Sequence, residues 1–288
     1  MVIIMFGIFS ITQNFHPKTI KPQRGLTMKS ALMEELSWFD VQEYLKSNDL
    51  IILPIGSVEQ HGPHLPLATD SINVLYLATQ AATASGVLVA PVLKTGVSFN
   101  HYDFPGTLSL QPETLTSLIV DVVKSLIHHG FNKIILLNGH GGNNSAIETA
   151  AIKLKIDFTK QIIGVLHSWL LCKESAEVLE SPIRYHADEG ETSRTLVSAG
   201  DLVNMDRAKL EIPHSKSGLF NFDITEVFNQ VVFYGLPRTQ TVTKSGIFGD
   251  ASIASVEKGQ ALFKEIIENF IKEINRLKAV ALEDYIEG

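Results

Sequence analysis

Cysteine is almost missing from this chain: Cys172 is the single one in 288 residues. That excludes an intrachain disulfide and any cysteine-built zinc module. Blocks of lysine or arginine are missing too, and 24 basic against 31 acidic residues leave a net charge of −7. An acidic chain without a basic stripe lacks the electrostatic footprint of a nucleic-acid binder. Long hydrophobic runs are the third absence. Val2–Ile11 is far shorter than the roughly 20 apolar residues of a bilayer span, and it lacks the basic start and cleavage site of a secretory signal. What remains is 45% hydrophobic and 19% charged, a globular composition in a chain long enough to bury a full core. The expectation is a cytoplasmic protein whose partners are neither membrane nor nucleic acid.

Residues 1–27 are expected to be a flexible extension, or to precede a true start at Met28. Residues 28–288 are expected to form one domain. From about residue 36 helical and strand periods alternate. Ser37 caps a helix to Leu45; Leu50–Ile55 reads as a buried strand; Asp70 caps a helix running from Ser71 to Ala84. Val87–Leu93 is a strand, and Pro112 opens a helix that Gly130 stops. Lys133–Leu137 and Ile162–Leu166 are strands either side of a helix that begins at Asn143 or Asn144 and runs through Lys155. A long amphipathic helix closes the chain, with Val256, Leu262, Phe263, Ile266, Phe270 and Ile274 on one face. The spacing predicts an α/β fold: a single three-layer α/β/α domain around a mainly parallel sheet. The stretch 207–246 breaks the alternation and is expected to be an irregular excursion or hairpin that covers a site or meets another subunit.

In such folds ligands bind beyond the carboxyl ends of the strands. Two strands end there in polar, glycine-rich turns. After Leu50–Ile55 comes Gly56-Ser57-Val58-Glu59-Gln60-His61-Gly62-Pro63, leading on to Asp70; after Lys133–Leu137 comes Asn138-Gly139-His140-Gly141-Gly142-Asn143-Asn144. A third cluster, Tyr185-His186-Ala187-Asp188-Glu189-Gly190-Glu191, lies before another helical segment. Glu59 and His61 are two apart, so in extended backbone they share a face. With Asp70, His140 and Glu191 they make a mixed nitrogen and oxygen set suited to Zn, Mn or Fe, and a bridging Asp would hold two ions about 3.5–4 Å apart. Taken singly, Glu59 also reads as a solvated acid, His61 as a turn residue and Asp70 as a helix cap. The glycine-rich turn also reads as a phosphate cradle, although it fits neither the Walker A spacing nor GxGxxG.

Glu59-x-His61-Gly62, then Asp70, then Asn138-Gly-His140-Gly-Gly-Asn143, then His186-x4-Glu191-Thr-Ser resemble the creatininase (creatinine amidohydrolase) family in order and spacing. The late Gly246-Ile-Phe-Gly-Asp250 fits as well, and the resemblance runs from about Leu36 to Ile274. It implies a creatininase-like fold, a homo-oligomer (a hexamer) and a two-metal site that hydrolyses an amide C–N bond in a small molecule. Glu59, Asp70 and His140 would hold one ion; His61, Asp70 and a further acid would hold the other. Creatininase proper carries Tyr-Glu after the histidine of this turn, where the chain has Gly141-Gly142, and Glu191 is expected to replace the missing acid. Creatininase also has a stacking tryptophan where this chain has Pro182, which argues against creatinine as substrate, while Trp169 resembles the family's other site tryptophan.

The expected mechanism gives His186 the relay of a proton to the leaving nitrogen near its ordinary pKa. The main-chain N–H groups of Gly141, Gly142 and Asn143 would bind an oxyanion or an anionic substrate group. Formamide hydrolysis in flavin or deazaflavin synthesis, inosose-ring hydrolysis, trimming of a modified peptide and a non-catalytic ligand-binding subunit are the alternatives. Lys94, Lys244 and Arg194 are candidate anion contacts.

Overall fold

The computed structural model describes residues 29–213 and 238–287. The expected extension, 1–27, and the centre of the excursion, 214–237, lie outside the described residues. Four strands, β1 (Leu50–Ile55), β2 (Leu88–Val89), β3 (Lys133–Asn138) and β4 (Ile162–His167), form a wholly parallel sheet in the order β2-β1-β3-β4. The connections are helices: α2 (Thr69–Ser85) between β1 and β2, α3 (Pro112–His128) before β3, and α4 (Asn144–Asp157) before β4. Parallel strands need such crossovers, which cover both faces of the sheet.

The alternation of side chains along each strand divides the core in two. Leu50 and Ile52 of β1 and Ile135 and Leu137 of β3 pack with Val74, Leu77 and Ala78 of α2 and Phe263, Ile266 and Phe270 of the long helix near the C-terminus. Ile51, Leu53 and Ile55 of β1 and Ile134 and Leu136 of β3 pack on the opposite side with Leu115, Ile119 and Val123 of α3 and Ile147, Ala150 and Leu154 of α4. The three layers are those expected from the sequence. α1 (Trp38–Leu45) opens on a reciprocal capping box between Ser37 and Asp40.

Some boundaries differ. Regular pairing in the predicted strand 87–93 is confined to Leu88–Val89, because the chain then turns away and rejoins β1 through a bridge at Leu93. Asp70 is not a cap: α2 begins at Thr69, and the Asp70 side chain turns to other partners. The motif at 185–191 is partly helical, since α5 (Glu189–Ala199) starts inside it, with Asp188 as its cap. A second sheet was not foreseen. β5 (Arg184–His186), β6 (Leu210–Glu211) and β7 (Phe248–Asp250) pair antiparallel in the order β5-β7-β6, joining the ends of the excursion to the 185–191 motif. A helical turn α6 (Thr239–Val242), the long α7 (Val256–Ala279) and α8 (Leu282–Glu287) complete the chain. Among the described residues no helix is long and apolar enough to cross a membrane.

Candidate metal centre and active site

β1 and β3 end side by side, so their turns deliver side chains to one place. Asp70, in the first turn of α2, is the hub. One carboxylate oxygen lies 3.2 Å from His61 Nε2; the other lies 3.1 Å from His140 Nδ1 and accepts the Ser57 hydroxyl at 2.6 Å. The amino end of a helix favours a negative charge at that position. Glu191, from the first turn of α5, approaches His61 Nε2 at 3.7 Å and accepts the Ala187 N–H at 2.6 Å. Glu59 has no exposed surface, and its Oε2 lies 3.2 Å from His140 Nε2.

Glu59, His61, Asp70, His140, His186 and Glu191, all singled out in the sequence, therefore meet. Their donor atoms fall into three groups able to share an ion: Glu59, Asp70 and His140; His61, Asp70 and Glu191; Glu59, His61 and His186. Whether an ion suits them is answered by Glu59, whose two buried oxygens accept no hydrogen bond from the described residues. A buried carboxylate of this kind either meets a cation or takes up a proton. Burial by itself would lower His61 and His140, but Asp70 outweighs it at His61 and Glu59 with Asp70 outweighs it at His140, taking the rings up to about 10 and about 9. For Asp70, burial would raise the carboxyl, yet the charge of His61 and hydrogen bonds from both rings hold it well below the usual range. Burial drives Glu59 upward in spite of its histidine neighbours. The donor set fits divalent ions.

Two neutral imidazoles flank this cluster. His186 stacks between His61 and His101, with ring centroids 4.3 and 4.4 Å away. Burial first, then the charge of His61, push it well below its ordinary value, in contrast to the near-ordinary value expected. His101, in the loop after β2, was missed: nothing in its spacing marks it. Gln60, passed over between the two motif residues, links these rings. Its amide N–H groups reach His101 Nδ1 at 2.7 Å and the Gly246 carbonyl at 3.3 Å, while the Gln60 main-chain carbonyl accepts from His186 Nε2 at 2.8 Å. That assignment leaves His186 Nδ1 as an acceptor 3.7 Å from Glu59, and leaves His101 an N–H at Nε2, 3.6 Å from the same carboxylate. Ala187, next to His186, is the one non-glycine residue of the described chain with positive φ, +50°, a strained conformation of the kind concentrated at functional sites.

The other expected site residues supply no acid or imidazole, and Gly142 lies against the His140 ring. Asn143 is spent on structure: its amide accepts the Val97 N–H at 2.9 Å and donates to the Gly56 carbonyl at 3.0 Å, and its own N–H bonds the His140 carbonyl. A Cβ at Gly142 would overlap the Val97 carbonyl, so no side chain fits there in this backbone. Gly141 is open to solvent, and Trp169 stacks on His167 with ring centroids 4.9 Å apart.

A family model described as creatinine amidohydrolase matches residues 34–274. The chain belongs to the creatininase family. It is thereby a hydrolase of the carbon–nitrogen-bond class. A 3-dehydro-scyllo-inosose hydrolase of Thermotoga maritima is 31% identical, the match covering 86% of this chain and 82% of that protein. The creatinine amidohydrolase of Pseudomonas putida is 28% identical, with 85% and 96% covered. A mycofactocin precursor peptide peptidase of Mycolicibacterium smegmatis is 29% identical, with 79% and 85% covered. A crystal structure of creatininase superposes with a TM-score of 0.77 at 25% identity, covering 88% of this chain and 100% of that one. Creatininase structures described as a Zn–Zn type and as an Mn form match as well, with TM-scores of 0.76 and 0.72.

Proposed function

We propose that this creatininase-family member is a metal-dependent amidohydrolase that holds two divalent ions (Zn, Mn or Fe) and hydrolyses the C–N bond of a cyclic amide or formamide. Glu59 carries the reading: a fully buried carboxylate without a hydrogen bond, facing ring nitrogens on several sides. Glu59, Asp70 and His140 would hold one ion and His61, Asp70 and Glu191 the other, Asp70 having one oxygen toward each imidazole. When bound, the ions supply Lewis-acid polarisation of the carbonyl and an activated water.

The remaining steps belong to the chain. His186 is neutral and presents Nδ1 toward Glu59, so it accepts a proton there and returns it to the leaving nitrogen. Gln60 fixes the ring that does so. Gly141 and Gly142, in the turn that opens α4, offer main-chain N–H groups to an oxyanion. Trp169, beyond β4, offers an aromatic wall. Pro182, where creatininase stacks a tryptophan, argues for an amide other than creatinine. A cytoplasmic homo-hexamer belongs to the same proposal, supported by the lone cysteine and by the exposed Trp38 and Phe39 of α1.

The test is metal content per chain in protein purified without chelator, followed by a panel of creatinine, N-formyl aminopyrimidines, inosose-type rings and short peptides. Close to two ions and turnover of a cyclic amide or formamide support the proposal. Folded protein that takes up neither Zn nor Mn returns the chain to a ligand-binding role, and turnover of peptides alone moves it to the peptidases.

A further inference from the structure

Arg194 of α5 is half-buried, its Nε has no contact with solvent, and among the described residues it makes no hydrogen bond and no ion pair. A guanidinium keeps its charge and five N–H donors, and here the one at Nε is cut off from solvent without a partner among the described residues. Arg194 lines a small cleft, partly open to solvent, whose walls include Asp70, Glu191, Asn73, Ser168 and Phe263. The cleft thus runs from two candidate metal ligands to a guanidinium that makes no hydrogen bond among the described residues, although its charge also acts on the buried Asp188.

The polar neighbours are already engaged. Asn73 donates to Thr195 at 3.0 Å and accepts from Ser198 at 2.6 Å. Glu191 is turned toward Ala187 and His61, and Asp70 toward Ser57, His61 and His140. Lys94 and Lys244, the other cations considered from the sequence, are exposed and do not line the cleft.

We propose that Arg194 is a substrate subsite for an anionic group, a carboxylate or a phosphate monoester, on a molecule whose scissile amide lies at the Asp70–Glu191 end of the cleft. This rests on the amidohydrolase reading. Two carboxylates share the cleft, so an anion enters favourably only when divalent ions offset them, and anion binding is coupled to metal loading. Arginine suits the task because its fork pairs with either anion through two parallel hydrogen bonds.

The experiment titrates full-length, metal-loaded protein with inorganic phosphate and with acetate by calorimetry, in wild type, Arg194→Lys and Arg194→Met, with metal content measured in each. At equal metal content, Arg194→Met is expected to weaken the preferred anion by about tenfold or more, the loss of one charge-assisted hydrogen-bonded pair, and Arg194→Lys by less. The anion that binds tighter names the group. Chelation is expected to weaken wild-type binding. Equal affinity in wild type and Arg194→Met, or no anion binding in metal-loaded wild type, overturns the proposal. For activity, a formamide bearing a carboxylate is compared with its neutral amide analogue; Arg194→Met is expected to raise KM for the first and leave the second unchanged. If neither is hydrolysed, the amidohydrolase reading fails while the titration still decides the role of Arg194.

Discussion

Gly246 yields its side-chain space to Gln60: a Cβ at 246 would overlap the Gln60 carboxamide, and the main chain there has φ of +87°. The Gly246 carbonyl in turn accepts from that amide, which also holds His101. Glycine is required both by the left-handed backbone and by the volume. Gly246→Ala is expected to cost about 2 kcal/mol in stability and to lower kcat. Gln60→Met, which keeps the volume but loses both donors, is expected to lower kcat with a smaller change in Tm. Thermal melts and steady-state kinetics on both variants check this.

Asp70 touches both imidazoles that would carry ions. Asp70→Ala or His140→Ala is therefore expected to lose bound metal and turnover together, measured by elemental analysis beside activity. Retained metal with full activity in either variant would contradict the ligand assignment.

Chelation provides the complementary measurement. An ion bound to the native state alone stabilises it, by about 2.7 kcal/mol at a free concentration 100 times Kd. Treatment with a chelator is expected to lower Tm and abolish turnover, and Zn or Mn is expected to restore both. An unchanged Tm with complete removal of metal would disprove the coupling.

The resemblance to creatininase implies an acid at the place of Gly142. Gly142→Glu, designed to restore it, is expected to destabilise the turn, because the added side chain meets the Val97 carbonyl and the His140 ring. The check is a lower Tm and metal content no higher than in the parent.

Glu265 of α7 accepts the main-chain N–H groups of Lys173, Glu174 and Ser175 and the Ser175 hydroxyl. Burial would raise this carboxyl, but the Ser175 hydroxyl and the three N–H donors outweigh it and hold the group at about 2, against an ordinary 4.5. A depressed carboxylate contributes stability that is complete above the ordinary value and is lost as pH falls toward the folded one. Tm is expected to decline between about pH 4.5 and pH 2, and Glu265→Gln is expected to remove this part of the decline. Parallel slopes in that window would exclude the linkage.

The sequence by itself determined the three layers. Strands such as Leu50–Ile55 are apolar on both faces, and the helical stripes around them, such as Leu262 to Ile274, are long enough to read by period alone. It also determined which acids and histidines follow strand ends, because those turns carry the residues next to one another. Only the tertiary structure decided what they face. Asp70 reads equally as a helix cap or a bridging ligand until β1 and β3 stand adjacent and place His61 and His140 on its two oxygens. Gln60, His101 and Gly246 come from separate loops, and no local spacing relates them. Their pairing arises from burial and hydrogen-bond satisfaction across the chain, forces that act between segments brought together only by folding.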